Sequence, residues 1–451
     1  MRLSISTAVA ALLAASGSAA FAQTAKAPDV RRIGAITAAS SDSILMLGGI
    51  RHLPNGSLIV NDVLSRRLLL LDKSLEVVDV IADTTPGSPN PYGSARGSLM
   101  PYKGDSSLFI DPSSLSMLVL DGEGRIARVM SVPRSQDAGM MAATTLGGAG
   151  FDGERMVYRS MGGMRMQAGS SPGANPGAAR SGMSFSAPQM PDSMPIVRVN
   201  LATRTVDTAA FIKVSQPKAN VSQGADGGMN ITVEINPLPV VDEYAVLSDG
   251  RIAIVRGRDY HVEFVDRDGN VDAAPKIPFE WKRLTDEEKV AFIDSVKAQT
   301  ERAAAAGGSA ASRVGSNIGA AIGGGAPVVM TQTRVVAGGA GGEPPMRGAP
   351  TVRAMASQVN YVSPSELPDY QPAFFGNQAR GDMDGNLWVR IIPPKPIAGG
   401  AVYDVIDGKG ELVDRVQVPL NRTIAGFGAG GVVYLTSQEN GITKLERATF
   451  K

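Results

Sequence analysis

The chain has 451 residues, too many for one ordinary sandwich and enough for a large repeat fold. Its 44 Lys and Arg balance 43 Asp and Glu, so no surplus of charge points to nucleic acid or to an anionic membrane surface. It contains no cysteine, which excludes disulfides, thiolate metal sites, Cys nucleophiles and lipid attachment through an N-terminal Cys. The fold must therefore hold by burial and backbone hydrogen bonds alone.

Residues 1–22 read as a signal peptide. Arg2 supplies a minimal basic start, Ala8–Ala15 a short apolar core, and Ala20-Phe21-Ala22 the small residues that precede cleavage before Gln23. The apolar run is too short to span a bilayer, so the mature chain is expected to lack a transmembrane segment and to be periplasmic or secreted.

From Gly48 the chain reads as short strands broken by tight turns. Ile50–Leu53, Ser57–Asp62, Arg66–Leu71 and Leu75–Ile81 alternate with Pro54-Asn55-Gly56, Val63–Ser65 and Asp72-Lys73-Ser74. Turn residues supply the reversals, and branched or leucine runs suit pleated surfaces. The pattern then recurs. First turns centre on Asn55, Asp105, Asp152, Asp249, Asp384 and Gly430. Second turns centre on Asp72, Asp121, Asn200, Asp266 and Asp407, with Glu446 in the sixth position. Second strands match as well: SLIVND, SLFIDP, RMVYRS, RIAIVRG, NLWVRI and VVYLTS. Four-stranded units repeating every 40–50 residues are the signature of propeller blades. The sequence predicts an all-β, six-bladed β-propeller over residues 23–451. The sixth unit ends before its outer strand, and Val30–Ile36 is expected to supply it and close the ring.

Blade one, Ser248–Val255 and Asp382–Val389 resemble the dG-n-l-y-V repeats of NHL-type and TolB-like six-bladed propellers. That resemblance covers most of residues 30–450 and implies fold. It carries no catalytic residue to this chain, because the superfamily hosts receptors, scaffolds, lactonases and lyases.

The insertions are asymmetric. Residues 159–195, 217–242 and 285–374 all fall on connections that emerge from one face of the disc, and the other face has tight Asp/Asn/Gly turns. Low-complexity cores lie at about 159–195, rich in Met and Gly, and 301–360, rich in Ala and Gly. The methionines of the first insert are adaptable contact surface, with soft Cu(I) ligation as the rival reading. A capping box of Thr285 and Glu288 predicts a helix from about Asp286 to Glu301 that buries Val290, Ile293 and Val296.

Loops on a rigid scaffold are where binding sits. Candidate ligand-binding residues at the channel mouth are Asn61, Asp62 and Asp111, at the ends of second strands, with Arg256, Asp259 and Arg390. Hard oxygens there raise the alternative of Ca2+, as in lactonase-like propellers, but the two arginines favour an anionic or polar ligand. The local alternative has Asp62 with Arg66, and Asp259 with Arg256, tying down their own loops. The two histidines, His52 and His261, stand in different strands and read as plain packing or surface residues. The Asp-Gly turns lack the spacing of calcium loops. The expectation is a monomeric extracytoplasmic binding module without a cofactor or catalytic site, recognising a protein, peptide or polar small ligand. Its alternative is a metal-dependent lactonase or esterase.

Overall fold

Six antiparallel blades follow one another along the chain, with strands in sequence order within each except where the N-terminal segment joins blades 5 and 6. The computed structural model describes residues 28–450 apart from 85–92, 94–95, 143–148, 161–190, 217, 224–228, 306–356 and 440–441. The signal-peptide reading and the cores of both low-complexity inserts lie outside the described residues.

Blade 1 comprises Leu47–His52, Leu58–Asp62, Arg67–Leu71 and Val77–Ala82. Blade 2 comprises Ser98–Pro101, Ser107–Asp111, Ser116–Leu120 and Ile126–Ser131. Blade 3 is Gly150–Phe151, Met156–Arg159, Ser193–Val199 and Val206–Lys213, and blade 4 is Glu243–Val246, Ile252–Arg256, His261–Val265 and Val271–Ala273. Blade 5 holds Phe374–Gly381, Leu387–Ile391, Val402–Ile406 and Leu412–Gln417, and blade 6 holds Arg422–Phe427, Val432–Glu439 and Ile442–Thr449. Second strands such as Leu58–Asp62 and Ser107–Asp111 are buried along their whole length, because neighbouring blades cover both of their faces. That is why they read as continuous apolar runs. Outer strands are exposed, as in Val271–Ala273.

The core is divided among the blade interfaces. Separate apolar clusters join blades 1 and 2, 2 and 3, 3 and 4, 4 and 5, and 5 and 6. A further cluster, with Leu58, Val60 and Leu69 against Tyr434 and Leu445, joins blade 6 back to blade 1 and closes the ring.

Closure comes from the N-terminal segment, but not as one strand over 30–36. Ile36–Ala39 pairs antiparallel with Ile442–Thr449 and completes blade 6. Val30–Arg32 pairs in parallel with Leu412–Gln417 as a fifth strand of blade 5. The chain crosses between the two at Gly34, whose N–H donates to Thr449 O at 2.9 Å. A Cβ there would lie 2.6 Å from that oxygen, so the crossing needs glycine. Nor is Glu446 a turn residue: it lies within Ile442–Thr449 and takes Arg422 Nε at 2.6 Å.

The tight turns have a common chemistry. Asp72, Asp121, Asp266, Asp382 and Asp407 each accept backbone N–H groups from residues two and four positions on. Short carboxyl side chains mimic a turn of backbone in this way. Where three blades place Gly124, Gly269 and Gly410 in the left-handed region, blade 1 places Leu75, at φ 70°.

On the opposite face the connections after blades 3 and 4 fold together. Lys218–Gln223 and Met229–Ile235 form a hairpin, and Ser357–Tyr361 adds in parallel to Met229–Ile235. Residues 357–361 are thus strand at the edge of the second insert. The helix runs Asp286–Ala305, and Thr285 and Glu288 exchange the two expected capping bonds at 3.0 and 3.2 Å. It buries Ile293 and Val296 against Ile235, Leu238 and Val362. Val290, expected on that face, is exposed, and Lys289 is buried in its place with an ion pair to Asp369 at 2.9 Å.

Candidate functional site

The insertion-bearing face collects the ends of second strands and the starts of first strands. Asn61 is fully buried, and its amide donates to Gly97 O at 2.9 Å. Asp62 accepts from Ser65 Oγ at 2.6 Å, from the backbone N–H groups of Leu45, Met46 and Ser65, and from Arg67 at 3.3 Å. Burial opposes its charge, yet these bonds outweigh burial and hold the carboxyl below its ordinary pKa. Its cation is Arg67; Arg66 turns to Gly93 O instead. Asp111 accepts from Gly93 N, Ser113 N and Ser114 Oγ.

Arg256 is committed to partners in blade 4 and the edge of blade 3. Its guanidinium donates to Asp242 at 2.8 Å, to Glu263 at 2.6 and 3.0 Å, and to Phe211 O at 2.9 Å. Asp259 is not its partner; that carboxylate meets His261 Nδ1 at 2.7 Å and Lys276 at 3.4 Å. The Arg390 side chain makes no hydrogen bond or ion pair among the described residues, and its backbone pairs with Tyr403 in the blade. These six residues belong to blades 1, 2, 4 and 5. Asp62, Asp111, Arg256 and Asp259 bond mainly within their own blades, and no three His, Asp or Glu side chains of the described residues converge as a metal donor set.

Two other charged residues meet beside them. Arg159 ends the second strand of blade 3 and Glu243 begins the first strand of blade 4; they are 9% and 2% exposed. Their closest approach is 3.8 Å, and Arg159 Nε and Nη2 and Glu243 Oε2 have no hydrogen-bond partner. Burial pushes the Glu243 carboxyl up to about 7, against the Arg159 charge and the backbone N–H of Asn377. Asn377 itself sits at φ 62° in an irregular stretch of its strand. The signal in the sequence was a charge inside an apolar strand, in MVYRS and DEYAV.

The first strands of all six blades line an axial cavity of about 560 Å³. Glycines let these strands approach: Gly150 and Gly381 flank Val246, and a Cβ on either would come within 2.7 Å of it. Arg51, His52 and Arg380 reach this cavity, whereas none of the six sequence-predicted residues does. The methionines divide: Met156 and Met194 are buried in blade 3, and the run between them lies outside the described residues.

No helix of the described residues is long and apolar enough to cross a membrane. No family model and no curated protein matches the chain. Among solved structures it is similar to a gluconolactonase from Xanthomonas campestris, at 12% identity over 94% of this chain and 96% of that one, with a TM-score of 0.34. A calcium-binding regucalcin from Agrobacterium tumefaciens matches at 11% identity over 94% and 98%, TM-score 0.32. A virginiamycin B lyase from Staphylococcus aureus matches at 9% identity over 94% and 99%, TM-score 0.35. At these identities no residue or activity of theirs is carried to this chain, which stands as a six-bladed β-propeller of its own sequence.

Proposed function

We propose that the protein is an extracytoplasmic binding propeller that recognises a protein or peptide at its insertion-bearing face. One observation carries this reading. The long connections build an added layer of sheet and helix there, and that layer presents exposed aromatic side chains. Trp281 is 37% and Tyr370 51% exposed. They come from two segments joined by the Arg283–Tyr370 bridge and by Gln371 N–H donating to Lys282 O at 2.9 Å. Exposed aromatics on a rigid support are the residues that dominate protein interfaces. The NHL-like repeat pattern and the signal-peptide pattern agree with an exported recognition module.

The test compares the full chain with Trp281→Ala/Tyr370→Ala in affinity capture from an extracytoplasmic extract. Trp281 also packs edge-on against Phe279, so an unchanged urea unfolding curve checks that the variant keeps its fold. A partner captured by the parent and lost by the variant supports the reading; equal recovery of every partner counts against it. Lactone or ester turnover that chelation abolishes would replace it with the metal-dependent hydrolase.

A further inference from the structure

The axial cavity has a charge balance that the surface reading leaves without a role. Three guanidinium groups and two carboxylates line it, together with His52. The two carboxylates are occupied elsewhere. Asp152 is fully buried, with Arg198 at 3.2 Å and Arg155 at 3.5 Å and backbone N–H groups of Glu154 and Arg155 on its other oxygen. Asp382 takes Trp388 Nε1 and Asn386 Nδ2 on one oxygen and two backbone N–H groups on the other, all from its own turn and strand. Arg267 packs over Gly153 and Gly250 and donates to Asp249 O.

Arg51 and Arg380 are different. Neither guanidinium makes a hydrogen bond or ion pair among the described residues, and Arg51 Nε is buried with no acceptor. The charge nearest to Arg51 in effect is Asp105, which acts on it only through space. An arginine stays protonated in proteins, so Arg51 brings an unmatched positive charge to a partly desolvated wall. His52 reports the resulting field: burial first, then the charges of Arg51 and Arg447, lower its pKa. The rest of the wall is substantially apolar, with Leu99, Tyr244, Val246 and Phe427. A volume of about 560 Å³ lies within the range of small-molecule sites.

We propose that the axial cavity binds a small organic carboxylate with an apolar body, its carboxylate paired with Arg51 and its charge further balanced by Arg380. Guanidinium is the group that matches a carboxylate with two parallel N–H bonds. The site stands apart from the insertion-bearing face, and neither reading depends on the other.

His52 is a built-in reporter, since the chain has only two histidines and His261 is held in blade 4 by Asp259 and Glu263. The experiment titrates full-length protein with benzoate, benzamide or inorganic phosphate and follows both imidazoles by NMR, assigned with His261→Gln. Benzoate is expected to shift the His52 resonance saturably and to raise the pH at which it titrates, leaving His261 in place. Benzamide, uncharged and of the same shape, is expected to do neither, and phosphate to bind more weakly than benzoate. Arg51→Gln and Arg380→Gln should each weaken benzoate at least ~10-fold, the loss expected for one unpaired ionic contact. An unchanged His261 signal checks that each variant is folded, and either variant suffices for the test. A benzamide response equal to that of benzoate, equal saturation by phosphate, no benzoate response at His52, or undiminished binding in the folded variants overturns the proposal.

Discussion

Two of the carboxylate–guanidinium pairs buried in blades 3 to 5 differ in how completely they are satisfied. In blade 5, Asp404 and Arg415 are directly paired across two neighbouring strands. Arg415 grips the carboxylate with Nε at 2.6 Å and Nη2 at 3.1 Å, and Tyr260 from blade 4 donates its hydroxyl at 2.9 Å. Burial and the Asp404 charge raise the Tyr260 pKa well above its ordinary value, which keeps that hydroxyl a donor. The other pair, Arg159 and Glu243, spans two blades and stops at 3.8 Å with three polar atoms unpartnered. A pair within a blade inherits its distance from strand register. A pair between blades takes whatever distance the packing of two sheets leaves. The first is a closed structural unit, and the second is a buried carboxyl poised to change protonation.

The largest effect tests the closed unit. Asp404→Ala strands a buried guanidinium and leaves Tyr260 without its acceptor. It should cost about 3–5 kcal/mol in urea unfolding, as expected when one member of a buried ion pair is removed. A cost under about 1 kcal/mol would place this pair on the same footing as the open one.

The second prediction concerns pH. The Glu243 carboxyl has a pKa of about 7 in the fold against 4.5 ordinarily, so the folded state holds its proton more tightly than the unfolded chain. Its stabilising contribution is complete below pH 4.5 and is lost as pH rises to 7 and beyond. The difference amounts to about 3 kcal/mol by proton linkage. Glu243→Gln removes that slope: the variant should match the parent near pH 4 and exceed it in stability at pH 8. Parallel urea curves for the two proteins across this range would show that Glu243 stays ionised throughout.

The smallest effect sharpens the open site. Asn377 holds φ 62° while giving its backbone N–H to Glu243. Asn377→Gly should raise stability by under about 1 kcal/mol, because glycine adopts this conformation without steric cost. The pH slope should survive, since the donor is backbone. A slope lost in this variant would transfer the tuning of Glu243 to the asparagine side chain.

Much of the architecture was legible because it is encoded locally. Asp72, Asp121 and Asp407 bond to backbone two and four residues away, so each turn announces itself within five residues. Thr285 and Glu288 do the same for the helix start. Five such repeats, and a sixth lacking its outer strand, are enough to specify a ring closed by the N-terminal segment. Ser65 on Asp62 and Ser114 on Asp111 follow the same local rule, whereas the expected Asp62–Arg66 pair did not form, because Arg66 turns to Gly93 O and Arg67 takes the carboxylate.

What only the tertiary structure decided are the matters that depend on two blades meeting. VRRIGAI reads as one strand, yet it is shared between blades 5 and 6 because Gly34 alone can pass the Thr449 carbonyl. Arg159 and Glu243 are 84 positions apart, as their numbers show, and their half-made contact is set by the fit of blade 3 to blade 4. Arg51 and Arg380 come from blades 1 and 5, and they share one cavity only because the ring closes. Sequence periodicity reports which side chains face a sheet and which bonds close a turn. It has no term for the distance between sheets, and in this propeller that distance assembles the unmatched charges.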